Sequence, residues 1–202
     1  MEYNNLQVDW NKYAEQYDAI TMSGTNPAYI GLVKKVINHF EDQDIKKDSL
    51  IIDLGGGTGN FTLGALTNYW INKGIPSIAE RNPHSHFLIL DGSEKMLELA
   101  EEKKERLKLK NVEVVKGDVE KINELSKKYS RHFDHALMMH CLYATRSQED
   151  PKKPQRVLNN IYQNLKEKGS FFISDINKPL KTETWIPYCL ANAMWRFKSF
   201  KK

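Results

Sequence analysis

Three carboxylates stand where apolar runs stop: Asp53 after Leu50-Ile51-Ile52, Asp91 after Phe87 to Leu90, and Asp118 shortly after Val112 to Val115. The first opens the spacing Asp53-x-Gly55-x-Gly57-x-Gly59, with Gly55, Gly56, Gly57 and Gly59 giving four glycines within five positions. Glycine there lets bare backbone approach a ligand closely. An ionised carboxylate only accepts hydrogen bonds, so three of them suit a ligand offering ribose hydroxyls and an exocyclic amine. A phosphate-rich ligand would be repelled. A dinucleotide fingerprint needs a third glycine where Asn60 stands, which argues against that class. His140 follows a fourth apolar run.

The elements that must position these groups repeat one grammar. Leu50 to Leu54 is continuously apolar but for its acid, as a strand buried on both faces of a parallel sheet should be. Phe87 to Leu90, Val112 to Val115, Phe133 to Met139 and Phe171 to Ile176 are four further strands. Between them, spacing predicts a helix from Asn60 to about Gly74 and one capped by Ser93 and running through Met96, Leu97, Ala100 and Leu107. A short helix is predicted over Val119 to Lys128, and another through Val157, Leu158, Ile161 and Leu165. Ile75 to His84, polar and proline-containing, reads as a surface excursion, and Pro151 with Pro154 as a loop. Ahead of the sheet, Trp10, Tyr13, Ala14 and Tyr17 are at helical spacing. Asn26-Pro27 opens a second helix whose Ile30, Val33, Ile37 and Phe40 should pack on the sheet. Strands alternating with helices predict an α/β fold with a doubly wound, mostly parallel sheet, whose ligands bind beyond the carboxyl ends of the strands.

At 202 residues and net charge +4, the chain is long enough for one domain, with no composition bias toward disorder. The longest apolar stretch, Ala136 to Ala144, is too short to span a bilayer, and Met1 to Asn5 shows no secretory signal, so a cytoplasmic address is expected. Cys141 and Cys189 lie outside metal or disulfide spacing and read as packing residues. The run Lys103, Lys104, Arg106, Lys108, Lys110 is interleaved with Glu101, Glu102 and Glu105. It reads as a solvated helix face rather than a nucleic-acid patch.

In their order these motifs resemble the class I S-adenosylmethionine-dependent methyltransferase family. Asp53-Leu-Gly55-Gly-Gly57-Thr-Gly59 is similar to its first motif, Asp91-Gly92-Ser93-Glu-Lys-Met96-Leu97 to its second, and Gly117-Asp118-Val119 to its third. Phe133-Asp134 and Leu165-Lys166-Glu167-Lys168-Gly169 also match, although the family usually has Pro-Gly-Gly at the last. Trp10-x-x-x-Ala14-x-x-Tyr17-Asp18 resembles its N-terminal lid. The resemblance implies a Rossmann-like sheet of order 3-2-1-4-5 and S-adenosylmethionine as cofactor, leaving S-adenosylhomocysteine. It divides residues 1–202 into lid helices (10–48), a cofactor-binding core (49–176) and a C-terminal extension (177–202). Gly55, Gly56 and Gly57 would lie against the methionyl part, with Asp53 helping to hold it. Asp91 would take the ribose hydroxyls, Met96 and Val119 sandwich the adenine, and Asp118 accept its amine. Tyr17, Gly92 and Met139 complete the cofactor set, and no metal is implied.

Methyl transfer needs a general base only if the acceptor must lose a proton, and His140 is the candidate. Met138-Met139-His140-Cys141 is not the Asn-Pro-Pro-Tyr signature of enzymes methylating DNA adenine or protein glutamine, so a small-molecule acceptor is expected and nucleic acid is not. Trp185, Tyr188 and Trp195 suit either an aromatic acceptor or simple packing. The alternative is a cofactor-binding partner subunit without catalysis. Asn72 to His84 looks like an inserted surface loop. Only 26 residues follow Ile176, so the family's final antiparallel strand pair is expected to be absent or truncated, leaving an exposed edge to be met by association of copies through it, a swap, or a lost C-terminal segment.

Overall fold

The computed structural model describes residues 9–21, 27–42, 45–64, 76–129, 132–145, 149–175 and 198–201. Five parallel strands form its centre: β1 (Leu50–Leu54), β2 (His86–Asp91), β3 (Val112–Lys116), β4 (Phe133–Met139) and β5 (Leu165–Ser174). They lie in the order β3-β2-β1-β4-β5, as the motifs imply. Ile52 is aligned with Leu88 on one side and Ala136 on the other. Because the strands run parallel, the ends carrying Asp53, Asp91 and His140 finish side by side.

Alternate strand residues feed two cores. Ile51, Ile89 and Leu137 pack against α2 (Pro27–Asp42), α3 (Ile78–Arg81) and α4 (Glu94–Arg106) through Val36, Phe40, Ile78, Leu97 and Ala100. Ile52, Leu88 and Met138 pack on the other face against α5 (Ile122–Lys128) and α6 (Lys153–Asn164) through Ile122, Val157 and Ile161. Helices on both faces explain why the strands have no wet side. α1 (Trp10–Thr21) is the remaining helix among the described residues, and it sits over the carboxyl ends rather than on the sheet. No helix among the described residues is long and apolar enough to cross a membrane.

Five expectations need correction. The stretch expected as a surface excursion, Ile75 to His84, is one only at Glu80, Arg81, Pro83 and His84 among its described residues. Ser77 and Glu80 form a reciprocal capping box, with Glu80 N–H donating to Ser77 Oγ at 3.2 Å and Ser77 N–H to Glu80 Oε2 at 2.7 Å, and this starts α3. Its Ile78 and Ala79 are buried, and Asn111 Nδ2 donates to the carbonyls of Ala79 and Asn82. Ser77→Ala should therefore lower the unfolding free energy by about 1 kcal/mol, read from urea denaturation with an unchanged m-value. Pro154 is not in a loop but in the first turn of α6, where its missing N–H costs nothing.

β5 starts at Leu165, six residues before the expected Phe171, directly from α6. A register shift between Phe133 and His135 absorbs the polar run, and Lys166 Nζ bonds Asp134 Oδ1 at 2.7 Å. The outer edge of β5 is not bare: β6 (Lys198–Lys201) pairs with it antiparallel, Phe171 opposite Phe200. Among the described residues this antiparallel strand thus covers the edge through which copies were expected to join. The helix expected from Asn60 does not start there, since residues 60–63 form turns and Gly64 has a left-handed φ of +76°. Its expected continuation to Gly74, the N-cap Asn26, Cys189 and the aromatic helix from Trp185 to Phe197 lie outside the described residues.

Candidate cofactor and active site

Beyond the carboxyl ends of β1 to β4 lies a cavity of about 740 Å³, within the usual size of small-molecule sites. Its walls are the glycine loop, the starts of α4 and α6, the loop after β4, and α1. Tyr17, Gly55, Gly57, Asp91, Gly92, Met96, Asp118, Val119, Met139 and His140 all line it. Asp53 and Gly56 do not: the Asp53 carboxylate lies under Gly56, whose added Cβ would meet Asp53 Cγ at 3.0 Å and Ile89 Cγ2 at 2.8 Å. The sequence therefore collects ten of its twelve candidate groups around one space, with the other two packed against each other in and under the glycine loop.

The glycine loop takes a shape few other residues allow. Gly55, Gly57 and Gly59 have φ of +66°, +55° and +74°. Gly55 has a second constraint, since a Cβ there would be 2.2 Å from Cys141 Sγ. A Cβ on Gly57 would instead meet only Met96 Sδ, at 3.9 Å, so this backbone faces the open cavity. Asp91 ties loop to strand: its Oδ2 accepts the Gly57 N–H at 2.9 Å and its Oδ1 the Ser93 N–H at 2.8 Å. Each oxygen keeps lone-pair capacity for another donor. Burial raises the Asp91 pKa, while the N–H groups of Ser93, Gly57 and Gly92 pull it back.

Asp53 is more extreme. Its Oδ2 accepts from Thr62 Oγ1 at 2.7 Å, while its buried Oδ1 has no hydrogen-bond partner among the described residues. Burial, opposed by Thr62 and aided by the Asp91 charge, pushes its pKa up to about 7. Asp118 caps the 3-10 turn Val119–Lys121 by accepting the Glu120 N–H at 2.9 Å, and its other oxygen is 3.6 Å from Lys153 Nζ. Val119 and Met96 are nearly fully buried on the cavity wall. His140 holds a left-handed backbone, φ +54°, at the end of β4, its N–H donating to the Ser174 carbonyl at 2.7 Å. A non-glycine residue in that region is uncommon and often marks a site. Burial lowers its imidazole pKa to about 4.

A family model described as a methyltransferase domain matches residues 45–200. The chain belongs to that family. Its motifs and fold are those of the class I S-adenosylmethionine-dependent branch, and S-adenosylmethionine is the cofactor that membership brings. Among solved structures, a rRNA methylase from Streptococcus thermophilus is 14% identical with TM-score 0.50, over 82% of this chain and 80% of that one. A S-adenosylmethionine-dependent methyltransferase from Clostridium acetobutylicum is 23% identical with TM-score 0.53, over 82% of this chain and 57% of that one. The chain thus spans little more than half of the clostridial protein, and the likeness to both is one of fold. No curated protein sequence matches it.

The residues present fit the cofactor on two observations: the open flank of Gly57, which any side chain would fill, and the Asp91 carboxylate on the cavity wall, whose oxygens each keep acceptor capacity beyond the Gly57 and Ser93 N–H groups. Sequence reasoning missed part of the wall. Asp9, Asn11, Lys116, Ala144, Thr145 and Lys153 also line the cavity, and Cys141, read as packing, stands beside Gly55. Nothing in their local spacing marks them, because long-range packing brings them in. Lys103 was grouped with a solvated helix face, yet it is buried beneath the glycine loop, while its neighbours in that run are mostly exposed.

Proposed function

We propose that this methyltransferase moves a methyl group from S-adenosylmethionine to a small-molecule acceptor by in-line displacement. The observation that carries the reading is the cavity that joins Asp91, Asp118 and the Gly57 backbone at adjoining strand ends. When bound, the cofactor supplies an electrophilic methyl on a sulfonium. Asp91 accepts from the ribose hydroxyls and is kept aimed by Gly57 and Ser93. Asp118 accepts from the adenine amine, and Met96 and Val119 hold the base between apolar surfaces. Gly55, Gly56 and Gly57 cradle the methionyl part above Asp53, whose charged form is favoured by a cationic ammonium. Tyr17 and Met139 close the walls, which excludes water and orients the partners.

His140 is neutral at pH 7 and so in the form that accepts a proton, but burial makes it a weak base. It suits acceptors whose nucleophile already carries a free electron pair, and its titration leaves the rate unchanged from pH 6 to 9. Charge supports a small acceptor. The two basic groups on the wall are already in ion pairs, Lys116 with Glu94 at 2.8 Å and Lys153 with Asp118 and Glu120 at 3.6 Å, which leaves little to neutralise a phosphate backbone. The test is release of S-adenosylhomocysteine against a metabolite panel, with ribosomal RNA alongside. Turnover with a small molecule alone supports the proposal; turnover with RNA alone overturns the acceptor class. Cofactor binding without turnover on either would assign the role of a non-catalytic partner subunit.

A further inference from the structure

Three elements meet on the side of the glycine loop away from the cavity. Lys103 of α4 points its ammonium at three acceptors: Asp18 Oδ2 at 2.5 Å, Asn60 Oδ1 at 2.7 Å and Thr58 Oγ1 at 3.2 Å. Asp18 of α1 accepts on its other oxygen from Thr58 Oγ1 at 2.6 Å and Asn60 Nδ2 at 2.9 Å. The three ammonium protons thus have three partners, and the whole cluster is buried except for part of Asp18. Burial pulls the Lys103 pKa down and Asp18 pulls it up. A buried charge satisfied this fully holds its partners to one arrangement, since moving any of them strands an ion in low dielectric.

The held parts all bear on the cavity. Thr58 and Asn60 alternate with Gly57 and Gly59, and Gly57 N–H is the donor that aims Asp91. Tyr17, next to Asp18, and Trp10, two turns earlier, line the cavity, and both meet Tyr13 edge-on at 6.0 and 6.1 Å. At the other end of α1, Asn11 Oδ1 accepts from Ser93 Oγ at 2.9 Å and from Lys95 N–H at 3.2 Å, beside the Asp91 loop. α1 is therefore fastened at both ends to the loops that shape the proposed cofactor site.

We propose that Asp18 and Lys103 are positioning residues for the cofactor, an ionic latch that fixes the glycine loop and α1 around it and sets how long it stays. Neither touches the cavity, and this role rests on the cofactor reading above. The latch acts on binding more than on the chemical step, so it sets the cofactor KM and the release of S-adenosylhomocysteine rather than kcat.

The experiment measures release of labelled S-adenosylhomocysteine after an unlabelled chase, with KM and kcat alongside, in the wild-type chain, Asp18→Asn, Lys103→Met and the double variant. Asp18→Asn keeps size and an acceptor but leaves the buried Lys103 ammonium without its counter-ion, so circular dichroism checks the fold, and the double variant, which removes both charges, keeps the test open if the single variant is unstable. Ile161→Ala, buried on the opposite face of the sheet, is the control for lost stability alone. The latch predicts at least tenfold faster release and a matching rise in KM for Asp18→Asn, with kcat within threefold. Lys103→Met should do the same, the double variant should be no worse than the worse single, and Ile161→Ala should leave release unchanged. Release in Asp18→Asn within twofold of wild type, or a change shared by Ile161→Ala, would overturn the latch. No binding of S-adenosylhomocysteine by the wild type would instead overturn the cofactor reading, and the two failures are distinct.

Discussion

Replacing Asp91 by alanine is expected to raise the dissociation constant for S-adenosylmethionine by about 10² to 10⁴. Two hydrogen bonds from ligand hydroxyls to a carboxylate are worth about 1.5–3 kcal/mol each, and the alanine loses both. It also strips the Gly57 and Ser93 N–H groups of their shared acceptor, so the glycine loop loses its tie to β2. Asp91→Asn should be nearly as damaging. One amide end cannot accept, so either Gly57 or Ser93 would face an NH₂ group. Equilibrium dialysis with labelled cofactor reads the effect, and circular dichroism checks that the sheet is intact. Binding within threefold of wild type in Asp91→Ala would remove Asp91 from the site.

The second large effect is one of stability. Asp53 has its pKa raised from 3.8 to about 7 by burial, so between those values the folded chain keeps a proton that the unfolded chain has lost. The unfolded state then binds fewer protons, and stability falls as pH rises through the window, with the full penalty in force above pH 7. A rise of that size corresponds to roughly 4 kcal/mol as an upper figure. Asp53→Asn carries no charge to bury. It should match the parent near pH 4 and exceed it by about 2–4 kcal/mol at pH 8, in urea denaturation of the cofactor-free chain. His140, with its pKa lowered to about 4, works in the opposite sense, losing stability as pH falls from about 6.5. Being present in both proteins, it cancels in the difference. The same substitution should weaken cofactor binding and flatten its rise with pH between 6 and 8. A variant that is less stable than the parent at pH 8 would contradict this account of Asp53.

What could be read from the chain alone divides along the range of the interactions. The parallel strands were legible because Leu50–Leu54 and His86–Asp91 are buried on both faces and so written almost wholly in apolar residues. The cap at Ser93 was legible because its hydroxyl bonds Met96 N–H only three residues on. Asn60, which the spacing marks only as a missing glycine, has a positive use: its amide bridges Asp18 and Lys103, 42 and 43 positions away. Lys103 was hidden for the same reason. A lysine among glutamates on an amphipathic helix looks solvated unless the partner that buries it is known. β5 began early because Leu165 already pairs with Phe133, while the polar residues Lys166, Glu167 and Lys168 that follow are looped out at the register shift before Ser170 pairs with His135, and so do not read as strand. Ile78 and Ala79 sit in a stretch too polar to look buried, yet they close one core face against α2.

The central claim is that the cavity beyond the strand ends is built for S-adenosylmethionine. Calorimetric titration of the full chain with S-adenosylmethionine, S-adenosylhomocysteine and NAD tests it most directly. The account predicts one site with saturable heat for the first two ligands, absent in Asp91→Ala, and no heat with NAD. Heat with NAD and none with S-adenosylmethionine would contradict it.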